Sequence, residues 1–212
     1  MAESTRIAFK NFQPYIQQQR RRAELSEASV MISRDRIGVL IGENGRVKDQ
    51  IERDLNVVLN VDAEAEVVAA KARDDANPLA LLKAKDTVTA IARGFPPDKA
   101  FQLFDESVIL DVLDLRELFG KSESDIQRVK GRIIGRDGKS RRSIEEITQA
   151  DISVDDYAIG IIGSYESVSL AREGMEMLIK GRTHATVYEH LKNRSREMRR
   201  KGKIDLWKKG RP

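Results

Sequence analysis

The chain says nearly the same thing twice. Leu40-Ile41-Gly42-Glu43-Asn44-Gly45-Arg46 is answered ninety-three residues later by Ile133-Ile134-Gly135-Arg136-Asp137-Gly138-Lys139. At the same offset Ile51-Glu52 matches Ile144-Glu145, and Leu59-Asn60-Val61-Asp62 matches Ile152-Ser153-Val154-Asp155. An internal repeat constrains the fold more than any local propensity, because both copies must form the same structural unit. Each unit must carry an apolar helix end, a Gly-x-x-Gly turn and a second helix.

Periodicity fills in the rest of the module. Val30-Met31-Ile32 reads as a short strand, and Arg34 to Ile41 as a brief helix stopped by Gly42. Arg46 to Leu55 places Val47, Ile51 and Leu55 on one helical face. Val57 to Asp62 and Glu66 to Ala70 read as strands. Asn77 and Pro78 open a helix that runs from Leu79 to Arg93 and ends at Gly94. The second copy repeats the order. Val108 to Leu113 is a strand, and Ser122, with Asp125 three residues on, caps a helix to Ile134. Lys139 to Thr148 is the second helix, Asp151 to Asp155 and Ala158 to Ile162 are strands, and Tyr165 to Lys180 is a helix. A short helix is expected within Asp98 to Asp105, and an extra one from Thr183 to about Lys201, before a polar tail holding Trp207.

The predicted class is therefore α+β: two three-stranded sheets, each covered by helices. The expected divisions are an N-terminal arm over 1–28, modules over 29–94 and 107–181, a linker over 95–106, and a basic helix with tail over 182–212. The arm carries Pro14, a Gln triplet and Arg20-Arg21-Arg22.

A Gly-x-x-Gly pair alone means little. With Gly at 14 of 212 positions, about one such pair is expected by chance at ordinary glycine usage. Gly160-Ile161-Ile162-Gly163 is a decoy: it lies in an apolar strand, where glycine marks close packing of sheet against helix. Gly138-Lys139-Ser140 imitates the end of a nucleotide-triphosphate loop, but Ile133 stands where that loop needs its first glycine, and a helix rather than a strand leads in. The two repeated turns differ from both decoys: each follows two aliphatic residues, precedes a helix and has matching strands downstream. Glycine lets the backbone approach a ligand, and the helix that follows directs its dipole and N–H groups at a phosphate.

Strand, helix, Gly-x-x-Gly, helix, strand, strand, helix resembles the type I K-homology (KH) domain over about residues 29–94 and 107–181. That resemblance implies a cleft that clamps about four nucleotides of single strand, with bases against aliphatic side chains and paired to backbone groups of a strand. Only 5% of the chain is aromatic, which disfavours modules that read bases on exposed aromatic platforms. The implied contact set in the second copy is Gly135, Arg136, Asp137, Gly138 and Lys139 in the loop, Arg132, Arg141 and Arg142 beside it, and Ile152 and Val154 on the strand. In the first copy it is Gly42, Glu43, Asn44, Gly45, Arg46 and Lys48.

The copies differ in charge. From Arg128 to Arg142 the second carries Arg128, Lys130, Arg132, Arg136, Lys139, Arg141 and Arg142 against Asp137 alone. Glu43 to Asp54 in the first sets Arg46, Lys48 and Arg53 against Glu43, Asp49, Glu52 and Asp54. Phosphate binding scales with neutralised charge, so the second cleft is expected to supply most RNA affinity. Glu43 also departs from the basic residue usual in the family's loop. A third basic region runs from Lys192 to Arg211, where ten Lys or Arg oppose Glu197 and Asp205, a local +8 in a chain of net +4. Such a block suggests either a polyanionic partner or a solvated helix end.

Other chemistries find little footing. The chain has no cysteine, which excludes disulfides and thiolate metal sites. His184 and His190 lack zinc spacing and read as surface helix residues. Asp155-Asp156 reads as a turn and Asp74-Asp75 as a helix approach, since neighbouring carboxylates on a strand face opposite ways. No nucleophile–base set assembles, so no enzyme, metal or cofactor is expected. No apolar run reaches the ~20 residues of a membrane span, and no signal peptide opens the chain; a cytoplasmic protein is expected.

The tandem layout, the Gly-Arg-Asp-Gly loop and the closing basic helix resemble the archaeal relatives of the small-subunit pre-ribosomal RNA processing factor. That resemblance implies single-stranded RNA, namely small-subunit rRNA near its 3′ end, as ligand. It also implies contacts with the endonuclease that trims that end and with the alpha subunit of translation initiation factor two. The alternatives are an exosome-type or messenger-RNA-regulatory adaptor, or a protein-interaction scaffold whose first module is inactive.

Overall fold

The computed structural model describes residues 27–73, 78–120 and 122–209, with side chains given to residue 200 and not at residue 78. Residues 1–26 of the expected arm, with Arg20-Arg21-Arg22, and the expected Asn77 cap lie outside the described residues, while Glu27 and Ala28, assigned to that arm, are strand. The chain divides into two compact units, Met1–Ala92 and Arg93–Pro212.

The first unit runs β1 (Glu27–Met31), α1 (Arg34–Ile41), α2 (Arg46–Asp54), β2 (Val57–Asp62), β3 (Val67–Ala72), α3 (Pro78–Ala92). Its antiparallel sheet has the order β1-β3-β2, with Val30 opposite Val68 and Leu59 opposite Ala70. The alternation in β2 sets this up: Val57 and Leu59 are buried while Val58 and Asn60 face out, the two-residue period of a half-buried strand. Ile37, Leu40, Ile51, Val68, Val88 and Ile91 fill the space between sheet and helices. Arg36 Nε donates to the Ile91 carbonyl at 2.8 Å, which ties α1 to α3.

The second unit begins before its sheet. Phe95 is buried, with its ring against Gly160, and Ala100 and Leu103 are fully buried. Residues 95–106, expected as a linker, thus supply core side chains to this unit through α4 (Pro97–Ala100) and a following 3-10 turn. Then come β4 (Val108–Asp114), α5 (Leu115–Phe119), α6 (Glu123–Ile134), α7 (Lys139–Thr148), β5 (Asp151–Val154), β6 (Ala158–Ser164), α8 (Tyr165–Ile179) and α9 (His184–Lys209). The sheet order is β4-β6-β5, again antiparallel. Among the described residues the order of strands is thus the same in both units, as the repeat requires.

Three expectations change. Helix α5 has no counterpart in the sequence reading: Asp114 caps it by accepting from the Arg116 N–H at 2.7 Å, and Gly120 ends it. Ser122 does sit at the start of α6, but its hydroxyl donates to Asp125 at 2.7 Å instead of capping a backbone N–H. That bond, with the Arg128 guanidinium, holds the Asp125 carboxyl below its ordinary range. Finally, the tail expected after Lys201 is helical: α9 continues through Trp207 to Lys209.

Helix α9 is integral to the second unit. Val187 and Leu191 are fully buried in the cluster formed by Ile126, Val129, Ile133, Ile144, Ile159 and Met175. Each such side chain contributes about 1.5–3 kcal/mol relative to exposure. The two histidines, expected as surface helix residues, do lie on this helix, but half-buried and bonded to neighbouring elements. His184 Nε2 lies 2.8 Å from the Arg132 carbonyl oxygen, and His190 Nε2 lies 2.8 Å from Glu173. Gly160 and Gly163 allow close packing on the sheet, against a helix only at Gly163: a Cβ there would lie 3.2 Å from Ser167 of α8, whereas one on Gly160 would lie 2.6 Å from the Phe95 ring, in the segment before α4.

Candidate nucleic-acid interface

The two Gly-x-x-Gly turns have the same backbone. Gly42 and Gly135 adopt φ 71° with ψ 178° and 177°, a region almost closed to other residues. Asn44 and Asp137 share φ 53°, ψ 30°, and Gly45 and Gly138 follow with positive φ. Asn and Asp are the non-glycine residues that tolerate this left-handed conformation best, so the third loop position is chosen by backbone geometry. A Cβ on Gly135 would lie 2.6 Å from Ser140 Cβ and 2.9 Å from the Ser140 nitrogen. The first glycine is what lets each loop fold back onto the helix it introduces. In the second copy that contact residue, Ser140, is buried with an unpartnered hydroxyl, where the first copy places Val47.

The loops face solvent. Glu43, Asn44 and Arg46 are exposed, as are Arg136, Asp137 and Lys139. The amides of Gly138 and Lys139 are not left free, as the sequence suggested: they bond to the carbonyls of Gly135, at 3.3 Å, and Arg136. What the second loop presents is therefore two cationic side chains at the positive end of a ten-residue helix.

Bonding sorts the remaining cations. Arg128 pairs with Asp125 at 3.1 Å, and Lys130 with Asp156 at 3.4 Å. Arg132 donates to the Arg182 carbonyl at 2.6 Å, which makes it a strut between α6 and the start of α9. Arg142 donates back to the Asp137 carbonyl at 2.6 Å and braces the loop. Only Arg136 and Lys139, of the seven basic residues from Arg128 to Arg142, lack a partner among the described residues. In the first unit Lys48 is held by Glu52 at 2.7 Å and Arg53 by Asp54 at 3.2 Å, so Arg46 stands alone beside Glu43 and Asp49. The charge difference between the copies survives folding and is concentrated at the second loop.

Beside each loop lies a strand edge, and both copies close it in the same way. Glu145 accepts from the Ile152 N–H at 2.9 Å, and Arg141 donates to the Ile152 carbonyl at 3.1 Å. Glu52 accepts from the Leu59 N–H at 2.7 Å. This is why Glu52 and Glu145 recur in the repeat: a carboxylate on the second helix satisfies an edge amide that the sheet leaves over. Ile152 itself is buried, so its side chain belongs to the core, and both its backbone groups are occupied; Val154 is half-buried. A base that accepts from the Ile152 N–H must displace Glu145, whereas the Ile152 carbonyl keeps a second lone pair beside Arg141. Glu145→Ala is expected to lower stability by about 1.5–3 kcal/mol, the value of a hydrogen bond to a charged group, with Glu145→Gln restoring most of it. Urea denaturation measures this, and wild-type stability in the Ala variant would remove the clamp.

Asp155 and Asp156 occupy the β5–β6 turn and are engaged separately, with Arg93 at 3.7 Å and Lys130. Among the described residues, no group of three or more acidic or histidine side chains is placed to hold a metal ion. No described helix is long and apolar enough to cross a membrane.

Comparison with known proteins agrees with this fold. The family model for the second KH domain of Pno1 proteins, described as a eukaryotic type KH-domain (KH-domain type I), matches residues 109–196. The KH domain-containing protein MJ0443 of Methanocaldococcus jannaschii is 43% identical over 84% of this chain and 78% of its own length. The pre-rRNA-processing protein PNO1 of Gibberella zeae is 35% identical over 57% of this chain; the match spans about half, 48%, of that protein. A crystal structure of an a/eIF2alpha–aDim2p–rRNA complex from Pyrococcus horikoshii contains a chain that is 37% identical. It superposes with a TM-score of 0.75, over 81% of this chain and 94% of that one.

Proposed function

Because the chain belongs to the tandem KH-domain family of archaeal Dim2-type and eukaryotic Pno1 proteins, we propose that it binds single-stranded RNA during small-subunit rRNA maturation, near the rRNA 3′ end. The observation that carries this reading is the second loop: two exposed, unpartnered cations, Arg136 and Lys139, on a glycine turn at a helix N-terminus. Loop phosphates meet these cations, and the bases lie toward the β5 edge. The ribosomal assignment draws on the relatives, one named for pre-rRNA processing and one crystallised with rRNA and a/eIF2alpha. The same crystallised relative supports the alpha subunit of initiation factor two as a protein partner; the endonuclease that trims the rRNA 3′ end, and a cytoplasmic site of action, follow from the family resemblance alone. The protein acts by binding and not by cleavage, in keeping with the separate ion pairs of Asp155 and Asp156.

The first module contributes less RNA affinity, since Glu43 and Asp49 flank Arg46, the one unpartnered cation between Glu43 and Asp54. Ultraviolet crosslinking in cells followed by sequencing of the bound RNA tests the role. Reads are expected to pile up at the 3′ end of small-subunit rRNA precursors; enrichment on messenger RNA or on exosome substrates would replace this role while leaving RNA binding intact.

A further inference from the structure

Helix α9 carries cations that the loop does not use. Lys192, Arg196 and Arg199 recur at i, i+4 and i+7, which places them on one face. All three are exposed, and none has an ion-pair or hydrogen-bond partner among the described residues. Their neighbour Arg194 contrasts with them, being paired with both Glu173 and Glu197.

These cations line a groove between α9 and α7. Its central cavity, of about 320 Å³, has Ser143, Glu146 and Ile147 on the α7 side and Tyr188 with the three cations on the other. A cavity of about 430 Å³ continues it past Tyr188, and one of about 210 Å³ continues it past Arg199. The carboxylates in this track are Glu146, Glu189 and Glu166. The central cavity holds three cations against Glu146 alone.

The groove leads to the loop. On α7, Lys139 and Ser143 are four residues apart, and Glu146 and Ile147 follow at seven and eight, so the unpartnered loop cation and the groove wall share a helical face. From Lys139 to Ser143 the rise is only about 6 Å. We propose that this groove is a second RNA track, which takes the sugar–phosphate backbone of the strand as it leaves the Gly135–Gly138 loop. The inference rests on the RNA-binding reading of that loop. A phosphate chain carries a charge at every residue, which suits cations repeated along a helix face. The Tyr188 ring at the groove's edge offers a face on which a base stacks without sequence preference.

The test compares the full chain with two variants, Lys192→Gln/Arg196→Gln/Arg199→Gln and Arg136→Glu/Lys139→Glu. The probes are an unstructured RNA of about 5 nucleotides, close to what one cleft clamps, and one about three times longer. The groove variant is expected to hold the short RNA within about two-fold of wild type and the long RNA about ten-fold more weakly. Its log–log salt dependence for the long RNA is expected to be shallower by about 2, from three phosphates at about 0.7 each. Unchanged affinity and slope for the long RNA would overturn the track and leave the groove to an acidic protein partner; equal losses on both RNAs would overturn it too, because the groove would then be part of the loop's own cleft. A loop variant that binds both RNAs as wild type does, beside a groove variant that loses the long one, would refute the loop reading while sparing the groove. The circular-dichroism spectrum of the groove variant should match wild type, since all three side chains are exposed and glutamine is a good helix former.

Discussion

Reversing the two unpartnered loop cations, Arg136→Glu with Lys139→Glu, is expected to weaken single-stranded RNA binding by about 100-fold or more. The pair changes the local charge by four units at a surface where no acidic neighbour is bonded to either side chain. At contact distance one charge pair in high dielectric is worth about 1 kcal/mol, and screening by salt reduces the sum of four such changes to roughly 3 kcal/mol. The matching change in the first loop, Arg46→Glu, acts on a site already flanked by Glu43 and Asp49 and is expected to cost no more than about three-fold. Fluorescence anisotropy at fixed ionic strength reads both. Equal losses in the two loops would show that charge does not rank the clefts, and the asymmetry between the copies would have to be abandoned.

The second large effect is on the fold itself. Gly135→Ala is expected to destabilise the second unit by about 3 kcal/mol, because φ 71° with ψ 177° is open almost only to glycine and costs about 1–3 kcal/mol for other residues. The new methyl also meets Ser140, at 2.6 Å from its Cβ and 2.9 Å from its nitrogen. Gly138→Ala three residues on should cost only about 1–2 kcal/mol, the ordinary price of a left-handed residue. There φ is 73° with ψ 12°, and the nearest atom to a Cβ is the Arg142 side chain at 3.8 Å. Urea denaturation with a probe in the second unit separates the two. Similar midpoints for both variants would mean that the loop relaxes away from α7, and that the first glycine is not the hinge of the turn.

Both predictions draw on features that were legible before folding. The repeat identified the module, and the Gly-x-Asn/Asp-Gly pattern marked a turn whose left-handed positions accept few residues. Helix α5 was harder to see, since five residues give too little periodicity to detect; Asp114 as cap and Gly120 as stop were the available signals. Residues 95–106 read as a linker because Pro96-Pro97 punctuates them, yet Phe95, Ala100 and Leu103 are buried. The groove cations lay within a basic block that charge counting found but could not place on a face or beside a partner element.

The order of elements common to both copies, the strand alternation, the two glycine turns and the excess of positive charge in the second copy follow from the sequence alone, because each depends on local backbone preference, on repetition or on composition. Which cations remain free depends on the tertiary structure. Arg132, Arg141 and Arg142 lie close in sequence to Arg136 and Lys139, but packing brings the Arg182 and Ile152 carbonyls to Arg132 and Arg141, and the fold of the loop brings the Asp137 carbonyl to Arg142. The same holds for Glu145 on the Ile152 amide and for the burial of α9 against α7 and α8. These bonds reach from five residues, between Arg142 and Asp137, to fifty, between Arg132 and Arg182; the short ones form only once the loop and the strand after α7 take their folded shape, and the long one and the burial of α9 couple segments that no local pattern pairs.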